Sequence, residues 1–265
     1  MATEENTFWD AETYERIGRP MREWAKAVID DLDLQGDETV LDAGCGSGSV
    51  TLDLLERLPQ GKIYALDSSE EMISKVTNEI KKRGANNVIP VLASLTNFEL
   101  PEQVDAVFSN AVFHWISDDA GLFGSLLRAT KAGGLLRAQC GGAGNIPSVL
   151  AAAHAVQTRE PYAEHIAGVH ESTTFRTPAE VTAALERNGW SDVRVSLFEA
   201  PAHFDSHDEA ALYLRTIVLR DYVEKLPDAL AEGFLHDVIA ECERTSGRPF
   251  EVDYVRLDMW ARRQD

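Results

Sequence analysis

The stretch VLDAGCGSG, from Val40 to Gly48, constrains the fold more than any other part of this sequence. A short apolar run ends at Asp42, three glycines then alternate with small residues, and Ser49 begins a helical pattern. Glycines at alternate positions let the backbone adopt positive φ, and they let a ligand approach where a Cβ would otherwise stand. The stretch therefore predicts a buried parallel strand, a tight turn and the start of a helix.

The spacing of these glycines separates the loop from two phosphate-binding motifs. The dinucleotide fingerprint Gly-x-Gly-x-x-Gly requires glycine at the position of Ser49. A P-loop requires a lysine that this stretch lacks. A loop that holds S-adenosylmethionine remains, and a glycine-rich turn in an unrelated α/β protein is the alternative.

The loop resembles motif I of the class I methyltransferases, whose common form is hydrophobic-Leu-Asp-x-Gly-x-Gly-x-Gly. This resemblance implies an α/β fold with a Rossmann-like sheet of seven strands, mostly parallel, whose last strand is antiparallel. It also implies S-adenosyl-L-methionine as the cofactor.

The periodicity of the chain predicts the same kind of sheet, because short apolar runs alternate with amphipathic helical segments. The predicted strands are 38–43, 62–66, 88–92, 104–109, 135–139, 192–198 and 252–261. The predicted helices are 8–34, 48–57, 68–84, 119–130, 147–158, 177–189, 207–224 and 227–244. We expect one domain over residues 1–265, with the cofactor-binding core at 35–140 and helical lid segments on the acceptor side at 141–190 and 200–250.

The charge and the cysteines restrict the partners. A formal net charge of −19 argues against nucleic acid and against an anionic membrane, since both require a basic surface. Cys45, Cys140 and Cys242 are widely spaced, which suits a reducing cytoplasm and predicts no metal site. The acidic first residues lack the apolar core of a signal peptide, and no run approaches the length of a membrane span. A soluble cytoplasmic protein that acts on a small molecule is expected.

Polar residues follow the predicted strands at the edge where an open parallel sheet binds its ligands. Asp67 ends the second strand, and its carboxylate can accept both hydroxyls of a ribose, a need common to NAD and S-adenosylmethionine. A solvated surface aspartate is the alternative. Asp42, at the end of the first strand, either contacts the amino group of the methionine moiety or braces the loop by accepting backbone N–H groups.

Further segments resemble the trans-aconitate methyltransferase group. They are Phe8-Trp9-Asp10 with Tyr14, Ser109-Asn110-Ala111 with His114-Trp115, Gly133-Gly134, and Asp253-Tyr254-Val255-Arg256-Leu257. The resemblance implies that Tyr14 lies near the cofactor and that His114 and Trp115 line the acceptor side. The chain departs from the pattern where relatives often carry glutamine in place of His114. It departs again at Ser94, where many class I methyltransferases carry the aspartate that binds the adenine amino group.

These arguments give two sets of candidate residues. The expected cofactor-binding residues are Tyr14, Asp42, Gly44, Cys45, Gly46, Gly48, Asp67, Ser68, Met72, Ser94, Leu95 and Asn110. The expected acceptor-side residues are Trp9, His114, Trp115, His203 and Arg215, with His114 as the catalytic candidate.

Methyl transfer from S-adenosylmethionine to a small-molecule acceptor is the favoured function, and the resemblance favours a carboxylate oxygen oriented by His114. Methylation of an oxygen, nitrogen or carbon with His114 as a general base is an alternative. A nicotinamide dehydrogenase would require a Tyr-Lys or His pair, for which no suitably placed lysine is found. A protein that binds the cofactor without turnover is a further alternative.

We predict that Asp67→Ala leaves the fold intact and weakens S-adenosylmethionine binding by ~1.5–3 kcal/mol, the usual contribution of hydrogen bonds to a charged group. Calorimetric titration of the folded variant measures this loss. Unchanged affinity would contradict the placement of the cofactor beside Asp67.

Overall fold

The computed structural model describes residues 19–249 and 251–264. These residues form two compact units. The sheet unit is built from residues 24–146, 172–201 and 253–264, and the helical unit is built mainly from Pro147–Glu171 and Ala202–Val252.

The described strands and helices follow one another in close agreement with the predicted alternation. The strands are β1 (Thr39–Ala43), β2 (Lys62–Asp67), β3 (Val88–Leu92), β4 (Val104–Asn110), β5 (Thr130–Gly141), β6 (Trp190–Glu199), β7 (Ala202–His203), β8 (Glu251–Val252) and β9 (Val255–Arg263). The helices are α1 (Arg19–Asp30), α2 (Ser49–Leu55), α3 (Glu70–Arg83), α4 (Asp119–Ala129), α5 (Pro147–Val156), α6 (Ala163–Ile166), α7 (Pro178–Arg187), α8 (His207–Tyr213), α9 (Arg220–Val223) and α10 (Asp228–Ser246). A 3₁₀ turn covers Phe113–Trp115, and a π-helical turn covers Leu214–Val218.

Seven of these strands form one sheet in the order β3-β2-β1-β4-β5-β9-β6. Neighbouring strands from β3 to β5 run parallel, whereas β9 is antiparallel to both β5 and β6. The predicted fold class is therefore confirmed. The strand order reverses at β1, which lies between β2 and β4, and such a reversal opens a crevice at the carboxyl ends of the strands.

The central strands are buried on both faces, which explains why they are continuous apolar runs rather than alternating ones. Val40 and Ile63 pack into the core on one face of the sheet. Leu41 and Tyr64, each one residue further along, pack into the core on the opposite face. All four are at most 2% exposed, so the strands that carry the glycine loop are fixed from two sides.

Helix ends in the sheet unit follow the local signals in the sequence. The hydroxyl of Ser69 accepts a hydrogen bond from the Met72 N–H and begins α3, and Gly84 ends that helix with φ of 65°. Thr177 and Glu180 form a capping box at the start of α7, as their spacing predicts.

The predicted single helix over 207–224 is wrong. The chain has α8, the π-helical turn and α9 there instead, with the Leu219 N–H bonded to the Leu214 carbonyl. The Thr216 hydroxyl also bonds back to the Leu212 carbonyl at 2.8 Å. A β-branched run and a hydroxyl that competes for a helical carbonyl together disfavour a regular α-helix.

Other differences concern the ends of elements. Strand β5 is longer than its prediction at both ends, and β9 begins at Val255 rather than at residue 252. Val252 belongs to β8, which pairs with β7 in a separate two-stranded sheet that the sequence did not predict. The part of the predicted entry helix before residue 19 lies outside the described residues.

The helical unit has its own core, in which Tyr162, Tyr222 and Phe234 pack with their rings 5.4–5.8 Å apart. Its segments overlap those predicted as a lid, and the lid role remains a prediction. None of the helices in the described part of the chain has the length and apolar composition needed to cross a membrane.

Candidate cofactor and acceptor site

The glycine loop after β1 is anchored to the end of β2 by its own backbone. The N–H groups of Gly44 and Cys45 both donate to the Leu66 carbonyl, at 2.8 and 2.9 Å. The Gly48 N–H then closes the turn on the Cys45 carbonyl at 3.1 Å. Gly44, Gly46 and Gly48 have φ of 87°, 54° and 89°, a region that disfavours residues with a Cβ.

The three glycines serve two different purposes. A Cβ on Gly44 would lie 2.4 Å from a Val112 methyl, and one on Gly48 would lie 2.4 Å from a Val76 methyl, so both positions are closed by packing. A Cβ on Gly46 would meet no atom within 4 Å. Gly46 therefore presents bare backbone to open space, as a loop that cradles a ligand requires.

Asp67 lies directly beside this open position. Its Oδ2 accepts the Gly46 N–H at 3.0 Å, and its Oδ1 accepts the Ser69 N–H at 2.9 Å. These two bonds fix the carboxylate while each oxygen keeps further acceptor capacity, which is what two ribose hydroxyls need. Ser68 is exposed and Met72 is half-buried at the start of α3, next to this carboxylate in the chain.

Asp42 is buried beneath the loop, with 2% of its surface exposed. Its Oδ2 accepts the hydroxyl of Thr51 at 2.6 Å, which ties β1 to α2. Burial raises the pKa of Asp42 to about 7, the Thr51 hydrogen bond opposes this rise, and the charge of Asp67 adds to it. This contact is with a side-chain hydroxyl of α2 and not with a loop N–H, so both roles expected for this carboxylate stay predictions.

The segment after β3 carries the residues expected at the adenine. Ser94 is exposed, its Oγ lies 2.9 Å from the Thr96 hydroxyl, and it accepts the Thr96 N–H at 3.3 Å. The side chain of Leu95 is 5% exposed and packs in the core, so its backbone is what it offers to a ligand.

Asn110, at the end of β4, is held by a buried arginine. Arg256 of β9 is 1% exposed, and its Nη2 donates to Asn110 Oδ1 at 3.0 Å. Its Nε donates to Gln139 Oε1 at 3.2 Å, and its guanidinium lies 4.5 Å from the centre of the Trp24 ring. These contacts fix the orientation of the Asn110 amide at the crevice edge.

His114 lies in the 3₁₀ turn after β4 and is fixed at both its ring and its backbone. Its Nδ1 accepts the Gly141 N–H at 3.3 Å, and its carbonyl accepts the Thr174 N–H at 2.7 Å. The ring lies between two aromatic side chains, with centroid distances of 5.2 Å to Trp115 and 5.9 Å to Phe175.

The protonation state of His114 follows from these surroundings. Burial lowers its pKa to about 3, and the positive charges of Arg256 and Arg176 contribute to this shift. The imidazole is therefore neutral at physiological pH. Because Nδ1 accepts a backbone N–H, the proton of the neutral ring is on Nε2, which is a hydrogen-bond donor.

The remaining predicted residues do not all lie in the sheet unit. Trp115 does, with 39% of its surface exposed. His203 is an exposed residue of β7 whose Nδ1 lies 3.7 Å from Glu251, and Arg215 is half-buried in the π-helical turn. Both belong to the helical unit. Trp9 and Tyr14 lie outside the described residues.

Sequence reasoning missed three side chains that support this site. Thr51 binds Asp42, Gln139 binds Arg256, and Arg176 donates to the carbonyls of Phe113 and Ile116 at 3.2 and 2.5 Å, which holds the turn of His114. Arg176 and Gln139 are distant in sequence from their partners and carry no motif. Thr51 lies three residues after Gly48, so its closeness to the glycine loop in the sequence was a local signal that could have identified it.

Comparison with known proteins agrees with this geometry. Residues 40–134 match the family model described as a methyltransferase domain. The predicted resemblance to the class I methyltransferases is therefore confirmed over this part of the chain. The prediction of S-adenosylmethionine as the cofactor is confirmed with it.

Two curated relatives make the comparison more specific. A trans-aconitate 2-methyltransferase of Azoarcus sp. (strain BH72) is 33% identical over 135 residues, which are 49% of this chain and 50% of that protein. A malonyl-[acyl-carrier protein] O-methyltransferase of Acetivibrio thermocellus is 31% identical over 129 residues, 48% of this chain and 44% of that protein. The chain spans about half the length of these relatives.

The fold has a solved counterpart in the YcgJ protein from Bacillus subtilis. The two chains superpose with a TM-score of 0.65 over 92% of this chain and 99% of that one, at 15% identity. A likeness at this identity shows the fold alone.

The buried carboxyl of Asp42 leads to a prediction about pH. A folded-state pKa of about 7 against an ordinary 3.8 means that the folded protein binds more protons than the unfolded chain between these values. Its contribution to the free energy of unfolding therefore falls as pH rises from about 4 to about 7. Asp42→Asn has no carboxyl to ionise and should not lose stability in this way. At pH 8 its free energy of unfolding should exceed that of the wild type by a few kcal/mol, since each pKa unit corresponds to about 1.4 kcal/mol.

Urea unfolding of both proteins at several pH values between 5 and 8 measures the difference. Asp37→Asn, at an exposed loop position, is the matched control for the loss of a carboxylate. Parallel curves for wild type and Asp42→Asn would show that Asp42 does not titrate in this range.

The open face of Gly46 gives a second prediction. Gly46→Ala and Gly84→Ala both place a Cβ at positive φ, at about 1–2 kcal/mol, and neither new Cβ has an atom within 4 Å. Both variants should therefore fold with similar stability. At one fixed concentration, 100 times the dissociation constant of the wild type, S-adenosylmethionine should stabilise Gly84→Ala by ~2.7 kcal/mol and Gly46→Ala much less. Equal stabilisation of the two variants would place the cofactor elsewhere.

Proposed function

We propose that this chain transfers a methyl group from S-adenosylmethionine to a carboxylate oxygen of a small-molecule acid. The observation that carries the proposal is the state of His114, which is a neutral hydrogen-bond donor beside the strand ends rather than a base. The proposed partner is a small molecule, as expected for a chain whose net charge disfavours nucleic acid.

The residues at the strand ends suit the proposed cofactor. The carboxylate of Asp67 would accept the ribose hydroxyls, and the bare backbone of Gly46 leaves room for the ligand beside it. Ser94 and the backbone of Leu95 would face the adenine, and Asn110 would contact the methionine end. Bound S-adenosylmethionine supplies an electrophilic methyl group, so the chain has to align the acceptor and exclude water rather than provide a nucleophile.

The choice of acceptor follows from the proton on His114. A phenol, alcohol or carbon acid must lose a proton before it can attack, and a good general base has a pKa near the working pH. The pKa of His114 is about 3, and its Nδ1 already accepts the Gly141 N–H. A carboxylate is ionised at neutral pH and needs a donor to orient it, which the Nε2–H of His114 provides.

The names of the two curated relatives support the same acceptor class. One is named for trans-aconitate and the other for malonyl-[acyl-carrier protein], and both names denote molecules with a free carboxylate. His203, Arg215 and Trp115 stay the predicted acceptor-side residues.

The test is production of S-adenosylhomocysteine with a panel of small di- and tricarboxylic acids, phenols and amines. Turnover of the preferred acid by the wild type should not change between pH 8 and 9, a range above the pKa of about 7 of Asp42, because neither His114 nor the acceptor titrates there. His114→Gln should keep most of the activity, since its amide can donate to the same oxygen. His114→Ala should lose about 1.5–3 kcal/mol of transition-state stabilisation, the contribution of a hydrogen bond to a charged group.

His207→Gln, at an exposed histidine of the helical unit, is the control and should leave turnover unchanged. A loss of about 10³-fold in His114→Gln with unchanged cofactor affinity lies within the range of general acid–base catalysis and would overturn the carboxylate proposal. Cofactor binding without turnover of any acceptor would favour a non-catalytic protein.

A further inference from the structure

Three side chains that methyl transfer does not use lie together in the helical unit. They are His154, in the last turn of α5, and His170 and Glu171, in the segment that follows α6. One ring nitrogen of each histidine and one carboxylate oxygen of Glu171 all lie within 4.8 Å of one another. Two imidazoles and a carboxylate are a donor set that zinc prefers.

The cluster is accessible to an ion from solvent. The Nε2 of His154 lies 3.1 Å from Glu171 Oε1, and the rings of His154 and His170 are nearly perpendicular with centroids 5.9 Å apart. The side chain of His154 is 43% exposed and that of Glu171 is 16% exposed, so the carboxylate forms the floor and the imidazoles the rim.

A buried tyrosine orients the carboxylate from below. The hydroxyl of Tyr222 donates to Glu171 Oε1 at 2.6 Å, and its ring stacks on Phe234 at 5.8 Å. Because an ionised carboxylate only accepts hydrogen bonds, the Tyr222 hydroxyl is the donor of this bond. Ligating carboxylates in metal sites are commonly held by such a hydrogen bond.

We propose that His154, His170 and Glu171 bind one zinc ion. Tetrahedral zinc with bonds of about 2.0–2.2 Å places neighbouring ligand atoms ~3.3 Å apart, so the present separations need to close by at most ~1.5 Å. Side-chain rotation at the exposed rim allows this, while the hydrogen bond from Tyr222 keeps the carboxylate in place. Three protein ligands leave a fourth position for water, and the ion would fasten the segment after α6 to the end of α5.

A contact between one histidine and one carboxylate also occurs elsewhere in the helical unit, and it serves as a comparison. His207 Nε2 lies 3.0 Å from Glu243 Oε1 in the same unit, with the same residue types as His154 and Glu171. Among the described residues, no third histidine, cysteine or carboxylate lies close enough to this pair to complete a set of three ligands. The second histidine and the tyrosine behind the carboxylate distinguish the proposed site.

The experiment is calorimetric titration of Zn²⁺ into the full chain after treatment with a chelator and desalting. The wild type should bind one ion tightly, and Co²⁺ bound in its place should show the visible absorption of a tetrahedral site. His170→Ala and His154→Ala should abolish this binding. Tyr222→Phe, which keeps the ring, should weaken it by roughly 10–100-fold. His207→Gln should bind as the wild type does.

Zinc should also raise the unfolding temperature of the wild type but not of His170→Ala. His170 lies outside the helices, so this variant tests the site even if His154→Ala does not fold. Absence of a one-to-one complex in the wild type would overturn the proposal. Equal affinity in His170→Ala would overturn it too, and would assign zinc binding to the acidic surface. Cofactor binding is measured separately, so failure of the zinc site leaves the proposed methyl transfer untouched.

Discussion

The candidate site depends on the hydrogen bonds that join the glycine loop to the end of β2. The Leu66 carbonyl accepts two loop N–H groups, and the carboxylate of the next residue, Asp67, accepts the Gly46 N–H. The loop and the carboxylate are therefore positioned by each other, and both are fixed by strands buried on two faces. Because preorganised groups lose little freedom on binding, a ligand that meets this edge of the sheet encounters donors and acceptors already in place.

A second constraint is the buried charge of Arg256. Its guanidinium binds Asn110 and Gln139, packs against Trp24, and helps to keep His114 neutral. Burial of a cation costs free energy, and hydrogen bonds to two amide oxygens and contact with an aromatic face offset part of that cost here. One side chain thus orients the amide at the end of β4 and adds to the effect of burial on the pKa of the histidine that follows it.

The parts of this site that the sequence predicts are the parts made by neighbours in the chain. The strand, the glycine loop and the start of α2 are consecutive, and Asp67 is placed by the parallel pairing of β1 with β2. The protonation state and tautomer of His114 could not be predicted in this way. They depend on the bond from the Gly141 N–H to its Nδ1, which forms only when β4 and β5 pair. The π-helical turn at Arg215 escaped prediction for a similar reason, since periodicity alone does not distinguish it from a regular helix.

The proposed acceptor is an anion, and the net charge of the chain has the same sign. A net charge of −19 repels an anionic acceptor at long range, but at physiological ionic strength charges are screened over about 8 Å. Within that distance the local groups decide, and around His114 these include Arg256 and Arg176, both buried and both fixed by hydrogen bonds. Burial is the main cause of the low pKa of His114, and the positive potential of the two arginines, which adds to it, would also favour a carboxylate beside the ring. The two arginines would therefore act in two ways, adding to the effect of burial on the pKa of His114 and attracting an ionised acceptor.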